Sequence, residues 1–293
     1  MNNKSFIPLL LVLVSLIWAG SFIAVRVTIN EIPPVDLGFL RFLVATPLMV
    51  LILFLRKKPI RIPTKELPSL IVLGLTGVTL LYIFQFIGIA YTTASTAAVL
   101  INTNIIFIVI LSAMFLKEIF SLKKTLGIIL SFLGVIIVIL AQMRNENIVF
   151  SDVFLVGCLF VLLSAFCWAI YSVVGKRLLT EYDSFTVTTY AFVLGTIFFL
   201  PVVLPNITGV IQNISFNGWM AVFYLALLCS VFGYAAWYYA LSKTEAGRAA
   251  VFLNFIPLFA ITLSSFFIRE IPSILFLLGA ILIIYGVYLT QKS

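Results

Sequence analysis

Apolar runs of about 20 residues, the length at which a helix spans a bilayer, follow one another along this chain with little between them. They lie at 6–27, 36–55, 69–91, 93–116, 123–142, 152–175, 184–204, 217–241, 246–268 and 273–290. In hydrocarbon a backbone N–H or C=O finds no water, so a run of this length is satisfied only by folding into a helix. A barrel would instead show short strands of alternating polarity. The overall balance agrees, with 63% of residues hydrophobic and 10% charged, against about 25% charged in soluble domains. A water-soluble fold is excluded.

Charge placement orients the helices. With the N-terminus in the cytoplasm, Lys4, Arg56, Lys57, Lys58, Arg61, Lys65, Lys117, Lys123, Lys124, Lys176, Arg177, Lys243, Arg248 and Lys292 all fall in cytoplasmic segments. Outer loops hold Arg144 and Arg269, while Arg26 and Arg41 lie within or bordering helices. This is the positive-inside bias, and ten crossings return the C-terminus to the same side. The net charge of +8 is thus an orientation signal, and no nucleic-acid partner is expected. The first run follows Lys4 as the core of a signal peptide would, but nine further runs and the return of its motif in the second half mark it as a span.

The chain is also doubled. From Lys117 it reads K-E-I-F-S and then L-G-I-I-L-S-F-L-G; from Arg269 it reads R-E-I-P-S and then L-G-A-I-L-I-I-Y-G. Glu118 and Glu270, Gly127 and Gly279, and Gly134 and Gly286 all keep an offset of 152. S-L-I-W-A from Ser15 matches A-F-C-W-A from Ala165, pairing Trp18 with Trp168 at an offset of 150. Five helices per half is an odd number, so the second half enters the membrane from the opposite side. The expected fold is all-α and integral to the membrane. It has ten transmembrane helices as two inverted five-helix repeats, 1–143 and 152–291, with both termini cytoplasmic.

Polar and aromatic residues inside the runs are the candidates for function, because each is costly in hydrocarbon. Ser15, Trp18, Phe22 and Arg26 share one helical face, as do Ser164, Trp168, Tyr171 and Gly175. The tryptophans recur mid-helix, which points to a cavity lining rather than an interfacial belt. Asn102 and Asn254, 152 residues apart, either touch a ligand or bridge neighbouring helices. Tyr82 with Gln85, and Tyr234 with Trp237 and Tyr238, are aligned elements that supply aromatic walls and a few polar tips; the second group is the more aromatic and slightly favoured. Arg41 and Asp36 are candidates for gating or charge, with Arg26 snorkelling to the interface. Pro257 removes a backbone bond to the Leu253 carbonyl. Thr93 and Thr244 are plausible N-caps, and Glu118 and Glu270 read as an architectural pairing at helix ends. The glycines at 127, 134, 279 and 286, with Ser131, offer faces for close packing within the chain or between two copies as a homodimer.

Catalysis finds no support. The chain has no histidine, its acidic residues sit at helix ends or loops, and Cys158, Cys167 and Cys229 have no metal-ligand spacing. No metal or cofactor is expected.

The early tryptophans, the R-F-L at Arg41, the A-S-T-A-A-V-L and A-G-R-A-A-V-F helix starts, and the repeated glutamate followed by glycines resemble the ten-helix EamA-type members of the drug/metabolite transporter superfamily. The resemblance covers nearly the whole chain. It implies a small-molecule cavity between the halves, chiefly among helices 1, 3, 4, 6, 8 and 9, and export of amino acids or other small metabolites. It also implies a bacterial or archaeal inner membrane, with alternating access as the mechanism. Multidrug or lipophilic-cation exporters belong to the same superfamily, but they usually want a carboxylate in helix 1. Here Trp18-Ala19-Gly20-Ser21 has none. A non-transporting scaffold or receptor would leave the duplicated polar midline without a purpose. Two positions depart from symmetry: Arg41 aligns with Ala191, and Pro257 with Ile105.

Overall fold

All regular structure among residues 3–56, 61–116, 122–143, 152–205, 207–243, 249 and 251–291, those that the computed structural model of the chain describes, is helical. In chain order the helices are α1 (Asn3–Thr28), α2 (Pro34–Leu55), α3 (Thr64–Tyr91), α4 (Ala94–Ile101 continued by Asn104–Leu116), α5 (Leu122–Met143), α6 (Asp152–Leu178), α7 (Ser184–Val203), α8 (Phe216–Lys243), α9 (Phe255–Phe267, entered through a 3-10 turn at Val251–Asn254) and α10 (Ile274–Gln291). A two-turn helix, Ile207–Asn213, precedes α8.

Among the described residues, seven of these helices (α1 to α4 and α6 to α8) are long and apolar enough to cross a membrane. Shorter apolar stretches run through α5, α9 and α10. The outward faces are apolar too, with Phe216, Phe266 and Ile274 79%, 84% and 79% exposed. Against lipid such a belt is at home; in water it would drive association. The chain is a multi-pass membrane protein.

Residues that are equivalent in the two halves touch one another. Phe42 meets Phe192 at 4.9 Å between ring centroids, and Trp18 meets Trp168 at 5.4 Å. The hydroxyls of Thr46 and Thr196 lie 2.7 Å apart, those of Tyr82 and Tyr234 2.8 Å, and Asn102 Nδ2 donates to Asn254 Oδ1 at 2.8 Å. Contact between repeat equivalents is what a two-fold relation between the halves would produce, as in any self-complementary pairing. Away from the centre, α5 packs on α10 through small residues. A Cβ on Gly134 would come within 2.7 Å of the Gly279 carbonyl oxygen, and one on Gly286 within 2.5 Å of that of Gly127. Only glycine permits this approach, and both glycine faces are covered from within the chain.

Both α4 and α9 break at their asparagine. The amides of Asn102, Thr103, Ile105 and Ile106 bond three residues back. On the other side the 3-10 turn ends at Asn254 and a new α segment opens at Phe255. Pro257, expected from the sequence to free a carbonyl mid-helix, stands instead in the first turn of that new segment. There a backbone N–H has no intrahelical partner in any case. The α4 break is made without a proline, so the asparagines mark both breaks and a proline is not required for one.

The start of α4 is doubly capped. Thr93 Oγ1 accepts the Thr96 amide at 3.0 Å, and the Glu270 carboxylate accepts the amides of Ala94 and Ser95 at 3.2 and 3.1 Å and the Ser95 hydroxyl at 3.0 Å. Arg269, at φ 55°, turns the chain so that Glu270 reaches back; the Ser265 hydroxyl fixes the Glu270 carbonyl at 3.0 Å. A carboxylate is favoured at a helix N-terminus by the helix dipole. The equivalents in the other half, Glu118 and Thr244, lie outside the described residues.

Candidate functional site

Between the halves lies a cavity of about 490 Å³, counting its open mouth. Its wall takes Trp18, Ser21 and Phe22 from α1, Arg41 from α2, Leu81, Tyr82 and Gln85 from α3, Ile101 and Asn104 from α4, Trp168 from α6, and Leu253 and Ile256 from α9.

Arg41 dominates the chemistry of this wall. It is 2% exposed and, among the described residues, has no carboxylate within ion-pair distance. A guanidinium keeps its proton in proteins, so the site must hold the charge. Its Cζ lies 4.1 Å from the centre of the Tyr82 ring, a cation–π contact worth about 2 kcal/mol when desolvated. Nε donates to the hydroxyl of Ser230, which a π-helical stretch of α8 at Tyr224–Phe232 carries into reach. Nη2 has no partner. Asp36, on the same helix, is buried but makes no ion pair with Arg41.

The two tryptophans are not equivalent. Trp18 Nε1 donates to the Cys229 carbonyl at 2.9 Å. The repeat equivalent of Cys229 is Gly77, whose carbonyl already accepts the Tyr234 hydroxyl at 2.8 Å. Trp168 Nε1 is left without a partner among the described residues.

Behind them sits a closed aromatic cluster. Tyr171, Tyr234, Trp237 and Tyr238 are at most 1% exposed. Tyr171 stacks on Tyr238 at 4.9 Å, Trp237 leans on Trp18 at 6.0 Å, and Tyr234 meets Trp168 edge-on at 5.5 Å. The residues singled out in the sequence thus separate. Trp18, Arg41, Tyr82, Gln85 and Trp168 meet at the cavity. Tyr171, Tyr234, Trp237 and Tyr238 pack behind it, so α3 rather than the more aromatic α8 supplies the wall. Asn102 and Asn254 bond to each other beside it, and Asp36 and Pro257 stand outside the wall. Arg26 does not simply snorkel. Its Nη1 binds the terminal carbonyls of α3 at Ile89 and Ala90, as its equivalent Lys176 binds Leu241 on α8.

Two residues escaped the sequence reading. Asn104 lines the cavity with Oδ1 buried and unpartnered; the break at Asn102 brings it there. The signal was its place two residues after Asn102, with apolar Ile256 as its equivalent. Ser230, the partner of Arg41, has Val78 as its equivalent. Both are polar on one side of the repeat only.

The EamA-like transporter family matches the chain twice, at residues 5–140 and 155–291. An uncharacterized transporter of Archaeoglobus fulgidus is 39% identical over 295 residues, covering 100% of this chain and 99% of that protein. A probable terminal-alkyne amino-acid exporter of Streptantibioticus cattleyicolor is 28% identical, covering 96% and 92%. A solved crystal structure, 18% identical, superposes with a TM-score of 0.70 over 97% of this chain and 96% of its own, and so shares the fold. Matched in both halves and along the full length of a relative, the chain belongs to the EamA-like transporter family, within the drug/metabolite transporter superfamily.

Proposed function

We propose that the chain exports small metabolites, amino acids foremost, by alternating access, with ten helices crossing a cell membrane as two inverted repeats and both termini cytoplasmic. The observation that carries this reading is the cavity on the pseudo-two-fold axis, walled by residues of both halves. The inversion is supported by how equivalent helices meet. Arg56 at the end of α2 pairs with Asp183 at the start of its equivalent α7, at 3.4 Å. On α5 and α10, Gly127 faces Gly286 while Gly134 faces Gly279. Helices that run antiparallel against their own equivalents are related by an axis lying across them, in the membrane plane. Rocking about that axis would turn one cavity to each side in succession. The Glu270 cap on α4 ties the end of α9 to the start of α4 and would have to loosen or hold with that motion.

Cargo charge is set by Arg41. A cation held 4 Å from the guanidinium, at an effective dielectric constant of 20, is repelled by about 4 kcal/mol, roughly a thousandfold in affinity. That weighs against a lipophilic-cation exporter. A carboxylate gains by the same measure, and a relative is named a probable amino-acid exporter.

The test is efflux of labelled amino acids from proteoliposomes holding the purified protein, with and without a pH gradient. Saturable release of one class supports the proposal, and a response to the gradient identifies the proton as coupling ion. Movement of quaternary ammonium dyes in place of amino acids overturns the cargo. No saturable transport of any solute overturns the transporter mechanism.

A further inference from the structure

We infer that the cargo docks by a carboxylate held between Arg41 and Trp168, with its amino group on Asn104, and is therefore an apolar α-amino acid in its zwitterionic form. This rests on the transporter reading and names the chemistry of the same cavity.

Three wall residues carry a buried polar atom with no partner among the described residues: Arg41 Nη2, Trp168 Nε1 and Asn104 Oδ1. Their residues are 2%, 6% and 5% exposed. Native proteins leave few such groups unmet, and these three stand on one wall. Two are donors and one is an acceptor. A carboxylate offers only acceptors and takes a charged donor in short, strong hydrogen bonds. An ammonium offers only donors, which the Asn104 oxygen can receive. An α-amino acid presents both groups one carbon apart. The remainder of the wall is largely apolar, with Phe22, Leu81, Ile101, Leu253 and Ile256, and suits a hydrophobic side chain.

Other head groups fit less well. A plain cation meets Arg41 and no wall carboxylate. A doubly charged phosphate finds one wall cation. A fatty acid satisfies the two donors but leaves Asn104 Oδ1 unmet. The zwitterion brings its own balancing charge. The arrangement also fixes orientation, because Ala191 and Ile256 replace Arg41 and Asn104 at the equivalent positions of the second half.

The experiment compares L-leucine, L-leucinamide and isocaproate, which lacks the amino group, as ligands of the full-length protein in nanodiscs. Titration is followed by calorimetry, and efflux is measured in parallel. Leucine is expected to bind best, isocaproate roughly tenfold more weakly and leucinamide about a hundredfold more weakly. Asn104→Leu should bring leucine and isocaproate to equal affinity. Trp168→Phe keeps the aromatic ring and removes the N–H; it should weaken both about tenfold and preserve their ratio. Gel filtration checks that both variants fold, and the wild-type ligand series decides alone if they do not. Leucinamide binding as tightly as leucine, or Asn104→Leu keeping the full preference, overturns the inference. Saturable export of a solute without a carboxylate sinks it too while leaving the transporter reading intact; no binding and no export of any solute sinks both.

Discussion

The two sides of the central site are built from equivalent positions and are made of different material. Carried across the repeat, Ser21, Arg41, Gln85 and Asn104 become Tyr171, Ala191, Trp237 and Ile256. The first set lines an open cavity, which Ile256 of the second joins; Tyr171 and Trp237 are at most 1% exposed inside the aromatic cluster. Where equivalent residues touch, the halves match, threonine to threonine and tyrosine to tyrosine. On the proposed function, duplication supplies the scaffold and divergence at a few wall positions the recognition. The sealed side is not fully content: among the described residues, Trp237 Nε1 and Tyr171 Oη are buried without partners, at about 1–3 kcal/mol for each unmet group. A closed wall that carries such a cost is easier to open than one fully bonded, as the proposed alternation between two sides would require.

The sharpest way to break this contrast is to make the two sides alike. Arg41→Met keeps the bulk and removes the charge, so transport of a carboxylate-bearing cargo should fall by at least about thirtyfold, a loss of 2 kcal/mol or more. Folding should not suffer in step, since replacing a buried charge by a well-packed apolar side chain is often neutral or stabilising. A thermal melt beside the efflux assay checks both halves of the statement. Undiminished transport by the variant would remove Arg41 from recognition.

Where the halves are alike, mutation should treat them alike. Leucine at Gly134 or at Gly286 would drive a side chain into the facing backbone of α10 or α5. Each should destabilise by about 1–3 kcal/mol, the usual range for overpacking. A clear inequality in their melting temperatures in detergent would show that this interface has diverged as the cavity wall has.

The sequence made the apolar helices and the doubling legible because each leaves a periodic or repeated mark. Glu118 and Glu270 stood out by offset, yet nothing in their spacing said that Glu270 would cap α4, since that depends on Arg269 turning the chain at positive φ. The tyrosines of α8 looked like a cavity wall because aromatic composition does not distinguish lining from plug; that is decided by which rings stack on Trp18 and Trp168. Asn104 was obscured because a regular helix gives no hint that the turn at Asn102 brings it to the cavity.

The Glu270 cap invites a gentler perturbation. Glu270→Gln retains one acceptor and loses the charge, so a cost of about 1 kcal/mol is expected from capping and the helix dipole together. It should appear as a lowered melting temperature that added salt diminishes, because the dipole contribution is screened. A loss that salt leaves untouched would assign the cap to geometry alone.

The smallest effect lies on the axis, where the halves ought to be interchangeable. Asn102 Nδ2 donates to Asn254 Oδ1, while Asn102 Oδ1 is buried without a partner. Asn102→Ala removes the bond together with that unmet oxygen, so part of the loss is returned. Asn254→Ala strands both polar atoms of Asn102. The two substitutions, equivalent by repeat, should therefore differ, with Asn254→Ala the costlier by about 1 kcal/mol and a coupling of roughly 0.6 kcal/mol in a double-mutant cycle on stability. Equal costs with no coupling would mean that the asparagines do not depend on each other. Coupling that appeared in leucine affinity and not in stability would move the pair from the joint between the halves into contact with the cargo.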